Sequence, residues 1–297
     1  MALANPAMIR YDIFSVTHEA ITLFSSGAFS MGDRKLSKKI SEKIEFFTIV
    51  QWQAIDSEYR QTARFDWKAF AVFSVICFVL ITGKYICRTS FIESFQSMRE
   101  LFHSMRNPGL YPELYWAIGS ALNYLLFPAI IIKYIFKERI RDYGFKWSKS
   151  NRILVLYAVM FVLVFILALV FSHTDAFQRK YPFYKSAANS WTEFLIWELS
   201  YAVQFFMLEF FFRGFILFTL ARYLGSLAVF VMTVPYVMLH FTKPLPEACG
   251  AIFAGIALGT LALRTKSIYG GVVLHVSIAL SMDIFTLFHR GELQRLF

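Results

Sequence analysis

Seven apolar runs, each nearly free of charge, occupy the last three-quarters of the chain, at residues 69–86, 111–136, 153–171, 192–220, 226–241, 248–263 and 268–288. About 20 apolar residues in a helix cross about 30 Å of hydrocarbon, and the runs are close to that length. The pattern therefore predicts an all-α, polytopic transmembrane helical bundle of about seven spans. A membrane-embedded part of residues 89–109 would make an eighth. The run at 111–136 is expected to kink near Pro128, and Ser190 with Glu193 reads as a capping box opening the fourth span. Gly255 and Gly259, four apart in the sixth run, permit close backbone approach between helices.

Residues 1–67 have a different texture. Leu36, Ile40, Ile44, Phe47, Ile55 and Tyr59 recur near helical period, with Lys38, Lys39, Glu42, Lys43 and Glu45 on the other face. This predicts an N-terminal amphipathic segment lying on the membrane surface or on the bundle. No basic region followed by a long apolar core opens the chain, so the first span is expected to act as its targeting signal. Three parts follow: an interfacial segment at 1–67, accessory spans at 68–189 and a core at 190–290.

Composition agrees with the pattern. Apolar residues make up 57% of the 297 residues and charged ones 17%, with 34 Phe, against about a quarter charged in soluble proteins. The net charge of +10 is carried between the apolar runs, which points to membrane orientation and away from nucleic acid as a partner. The most basic short loop is 137–152, so it and the N-terminus are expected in the cytoplasm, with about 19 Lys and Arg on that side and about 10 on the other. The expected location is the plasma membrane, with the lipid bilayer as the surrounding partner. Cys77, Cys87 and Cys249 lack metal-type spacing and read as unpaired packing residues.

Ionisable groups within spans are costly, and each is a candidate functional residue. Glu209 and Arg213 share a face of the fourth span, His240 lies late in the fifth, and His275 and Asp283 lie in the seventh. Glu247 sits in the connection to the sixth. At 1.5 Å per residue, Glu209 is roughly 20 Å, His240 roughly 21 Å and His275 roughly 14 Å from the cytoplasmic interface. Helix tilt covers the difference, so one carboxylate and two imidazoles are expected in one polar pocket. Such a set can take a proton from water and return it to a leaving group.

These residues resemble the motifs of the CAAX protease and bacteriocin-processing (CPBP, or Abi) family of intramembrane proteases over about residues 190–290. Glu209-Phe-Phe-Phe-Arg213 is similar to that family's Glu-Glu-x-x-x-Arg, with Leu208 in place of the first glutamate. Tyr236-Val-Met-Leu-His240 matches Phe-x-x-x-His with Tyr for Phe, and His275-Val-Ser-Ile-Ala279 matches His-x-x-x-Asn at the histidine only. The resemblance implies an intramembrane endopeptidase acting on a membrane-associated protein or peptide, in which Glu209 is the base. Arg213 holds that base, and His240 and His275 orient water and stabilise the oxyanion. Glu247 and Asp283 are accessory candidates, Asp283 as a stand-in for the missing asparagine. The cofactor is either none or a zinc ion held by Glu209, His240 and His275. Two other readings stay open: a catalytically silent relative that binds a membrane partner, and a transporter or proton relay, against which no internal repeat is visible.

Overall fold

Every regular element is a helix in the computed structural model, which describes Ile55 and residues 67–147 and 151–296. The amphipathic face expected within residues 1–67 lies outside the described residues except for Ile55, which is buried in the core. The helices are α1 (Trp67–Tyr85), α2 (Thr89–Ser94), α3 (Gln96–Ser104), α4 (Leu110–Ile130), α5 (Asn151–Phe171) and α6 (Asp175–Lys180). They continue with α7 (Trp191–Glu209), α8 (Leu217–Leu224), α9 (Leu227–Met238), α10 (Leu245–Thr265) and α11 (Tyr269–His289).

Six described segments are long and apolar enough to cross a membrane: α1, α4 with its extension to Ile135, α5, the continuous rod Trp191–Leu224, α10 and α11. The fold is thus the expected polytopic helical bundle, with one difference. The fifth expected span ends as α9 after 12 residues, about 18 Å of helix. Pro235 lies within α9, and the chain turns at Leu239–Thr242. His240 therefore sits in a turn at the helix end. Residues 89–109 form α2 and α3, of 6 and 9 residues with none buried, too short to cross.

The rod Trp191–Leu224 is the axis of the bundle, 78% buried in its most apolar window, against 6% for α5. Its start is the predicted box: the Glu193 N–H donates to Ser190 Oγ at 3.2 Å. Midway it widens into a π-helical segment, Phe210–Ile216, all of whose side chains are buried. The end of α4 does the same at Ile131–Ile135, just past Pro128. A proline cannot donate a backbone hydrogen bond, and its ring disturbs the preceding turn, which accounts for the expected irregularity there. The rod packs on α4 and α11, α9 packs on α10, and α5 rests mainly on α11.

Polar contacts join spans where hydrophobicity alone gives no driving force between helices. Thr82 of α1 donates to Asn123 Oδ1 of α4 at 2.9 Å, and Asn123 Nδ2 donates to the Val79 carbonyl at 2.9 Å. At one end of the bundle Glu138 accepts from Lys68 at 2.8 Å, Arg222 at 2.7 Å and Tyr143 at 2.6 Å. This single carboxylate ties the start of α1, the end of α4 and the end of α8. The glycine pair of α10 faces α9: a Cβ at Gly255 would meet Thr233 Cγ2 at 2.8 Å, and one at Gly259 would meet Met232 Cε at 2.9 Å. All three cysteines are free, Cys87 buried and the other two exposed.

Candidate active site

Glu209 is the last residue of α7, at the junction with the π segment that carries Arg213. Both side chains are fully buried. Arg213 Nη1 lies 3.0 Å from Glu209 Oε1, and its guanidinium sits 4.1 Å from the centre of the Tyr236 ring. An always-charged guanidinium at that range holds Glu209 as an acceptor-only carboxylate. The same Oε1 lies 2.6 Å from His275 Nδ1, so His275 donates there. His275 Nε2, left with its lone pair, accepts from the Tyr236 hydroxyl at 2.9 Å. Carboxylate, imidazole and phenol thus form one chain across three helices, with the His275 ring stacked on Phe205 at 5.3 Å and 7°.

Close approach makes this chain fit. Gly271 stands in the first turn of α11, and a Cβ there would run into the Glu209 carboxylate, with Cδ only 2.9 Å away. The bare glycine lets an anionic group press against a helix N-terminus, where the backbone dipole favours negative charge.

His240 approaches the chain from the turn after α9. Its Nδ1 lies 3.0 Å from the Tyr236 carbonyl, and its ring is 4.8 Å from the Tyr236 ring. A carbonyl only accepts, so Nδ1 carries the proton and Nε2 a free lone pair. His240, His275 and Tyr236 all line one large cavity of about 1070 Å³, together with Leu208, Glu247 and Ala279. Most of the remaining wall is apolar and comes from α1, α5, α7, α9, α10 and α11.

The structure brings Glu209, Arg213, His240 and His275 near one another, but not into the single polar pocket expected. Glu209 and Arg213 are not on the cavity wall, and the helical depth count does not reach His240, which lies beyond the end of α9. The structure sorts them into two layers. Leu208 lines the cavity at the place of the first motif glutamate, while Glu209 lies behind His275 and outside the cavity wall. Ala279 lines the cavity where the motif has asparagine. Asp283 does not face it: fully buried, it accepts from Trp197 Nε1 at 3.0 Å beside Glu198, three turns before Glu209 on α7. Glu247 does line the cavity and accepts from the Tyr181 hydroxyl at 2.6 Å.

A three-ligand zinc site does not fit this arrangement. Both ring nitrogens of His275 are engaged, and among the described residues no three His, Cys, Asp or Glu side chains converge on one point. Sequence reasoning missed Glu198, Tyr181, Lys243 and the role of the Tyr236 hydroxyl. Only the last left a signal, as a tyrosine where the motif has phenylalanine.

Fold and site together define a polytopic α-helical membrane protein with a buried carboxylate–imidazole–phenol chain at the wall of an apolar cavity. Residues 190–281 match the family model described as type II CAAX prenyl endopeptidase Rce1-like. That stretch is about a third of the chain. It contains all four clustered residues and is consistent with the resemblance to CPBP proteases. No curated protein and no solved structure matches the chain.

Proposed function

We propose that this protein is an intramembrane endopeptidase that hydrolyses a peptide bond near the C-terminus of a prenylated, membrane-associated protein. The observation that carries the reading is the pair of histidines at one cavity wall, each fixed in a defined tautomer by a different partner. In this mechanism His240 Nε2 takes a proton from a water in the cavity as the water oxygen adds to the substrate carbonyl carbon. The Tyr236 O–H turns from His275 to the developing oxyanion and stabilises it by donation. As the tetrahedral intermediate collapses, the C–N bond breaks and the leaving amine receives the proton from His240. Glu209 acts through His275, holding its tautomer and ring position, and Arg213 keeps Glu209 ionised. This division of roles moves the water base from Glu209 to His240, because Glu209 has no face on the cavity. Metal has no step here, since the residues do not form a site for it.

The apolar wall suits a prenyl chain, and the cavity volume leaves room for a peptide beside it. The second reading, a catalytically silent binder, is favoured by Leu208 and Ala279, which face the cavity in place of a glutamate and an asparagine. Turnover of a farnesylated C-terminal peptide by the detergent-purified chain separates the two. Cleavage by the wild type that is lost in His240→Ala and His275→Ala, with folding retained, is the expected result. Cleavage that appears only in Leu208→Glu identifies the native chain as the silent binder. Full activity in His240→Ala overturns the choice of base.

A further inference from the structure

The cavity lining carries charged side chains that the chemistry above does not use. Lys243 lies in the turn between α9 and α10, and its backbone N–H donates to the His240 carbonyl at 2.9 Å. Its ammonium donates to the Tyr181 hydroxyl at 2.6 Å and pairs with Glu247 at 3.3 Å. The ammonium also stands 4.3 Å from the centre of the Phe183 ring and 4.6 Å from that of Tyr181. An ammonium has three donors; Tyr181 and Glu247 take two, and Lys243 is among the residues that line the cavity. Lys84 and Arg88, at and just beyond the end of α1, line the same cavity, and among the described residues neither has an ion-pair partner. The charged lining is thus three cations against the single carboxylate of Glu247. The rest of the wall is almost entirely apolar.

We propose that Lys243, assisted by Arg88 and Lys84, binds the free C-terminal carboxylate of the substrate and so sets how far from the chain end the peptide bond is cut. Cations outnumber carboxylates in a largely apolar lining, which suits a ligand with a single anionic terminus and an apolar body. A carboxylate can take the third Lys243 hydrogen bond while Tyr181 and Glu247 keep the ammonium in place, and such charge-assisted bonds are the strong ones. Lys243 and His240 share one turn, and Tyr181 and Glu247 hold the ammonium, so the anion site keeps a set position relative to the water base. An extended peptide advances about 3.3–3.6 Å per residue, so a fixed distance counts out a short leaving peptide of constant length.

The identity of the ligand rests on the peptidase reading, whereas its detection does not. The test is equilibrium binding to the full chain in an uncharged detergent, with a fluorescent farnesyl-cysteine peptide ending either in a free carboxylate or in an amide. The wild type is expected to bind the acid about tenfold more tightly than the amide, as one charge-assisted hydrogen bond supplies. Lys243→Gln is expected to bring the ratio to near one, Lys243→Arg to keep most of it and Arg88→Gln to lower it. If Lys243→Gln does not yield folded protein, the latter two variants carry the test. Equal binding of acid and amide by the wild type, or a ratio unchanged in Lys243→Gln, overturns the proposal. Loss of the acid preference on adding phosphatidylglycerol assigns the site to a lipid headgroup and also overturns it. Acid preference without hydrolysis of either peptide refutes the peptidase reading and leaves the carboxylate site standing; hydrolysis without preference does the reverse.

Discussion

Tyr236 bonds both histidines, its hydroxyl to His275 and its backbone carbonyl to His240. Tyr236→Phe keeps the ring under the Arg213 guanidinium and removes only the donor. On the peptidase reading, turnover is expected to fall by about 10²–10³, the usual loss for one oxyanion donor, with thermal stability little changed. Arg213 behaves differently. Its removal strands a fully buried carboxylate, so Arg213→Ala is expected to cost about 3–5 kcal/mol, read as a lower melting temperature and yield in detergent, with Arg213→Lys retaining much of both. At this scale the sequence was legible where spacing fixes geometry. Glu209 and Arg213, four apart, are on one face in any helix. The layer in which each residue lies was not legible, because one residue's difference on a helix is 100°. That rotation sends Leu208 to the cavity and Glu209 behind it.

Among the elements, the glycine pair of α10 makes a contrast that local packing decides. At Gly259 the atom nearest is Met232 Cε, the far end of a flexible side chain, with Val229 Cγ1 next at 3.1 Å, whereas at Gly255 the three nearest atoms all belong to Thr233. Thr233 is β-branched, and its hydroxyl is bonded to the Val229 carbonyl at 2.7 Å. Alanine in a helix is worth about 0.5–1 kcal/mol over glycine, and overpacking costs about 1–3 kcal/mol. Gly259→Ala is therefore expected to be near neutral and Gly255→Ala clearly destabilising, as measured by thermal melts of the two proteins side by side. The element boundaries followed from apolar length nearly everywhere, because burial in lipid and burial in protein favour the same residues. The exception is α9, whose apolar run continues through Leu239 and Phe241 after the helix has ended. Hydropathy does not register a turn made of apolar residues.

Across the whole molecule, Glu138 joins three segments far apart in sequence. Burial raises its pKa, but the hydrogen bonds from Arg222, Lys68 and Tyr143 outweigh this and hold it at about 2. The folded value is below the unfolded one, so this group's contribution to stability is fully present above about pH 4.5 and is lost as the pH falls through 2. The difference in stability between the wild type and Glu138→Gln is expected to be constant from neutrality to about pH 5 and to shrink below it. A gap that persists to pH 2 would show that the three partners do not act through charge. Nothing in the sequence marked Glu138 among the other charges of its loop, because its partners lie 70 and 84 positions away.

The thinly packed helix α5 carries a kinetic meaning. Leu163 and Leu167 line the cavity and are also 58% and 53% exposed, and Ile81 of α1, on the cavity wall as well, is 58% exposed. On the peptidase reading, these exposed apolar positions, of the kind acyl chains cover, give a membrane-held substrate a sideways route to the site. A molecule that arrives this way searches a surface and not a volume, so its encounter rate is set by its number per unit area of bilayer. Diluting the aqueous phase leaves that number unchanged, while adding empty lipid at constant protein and substrate lowers it.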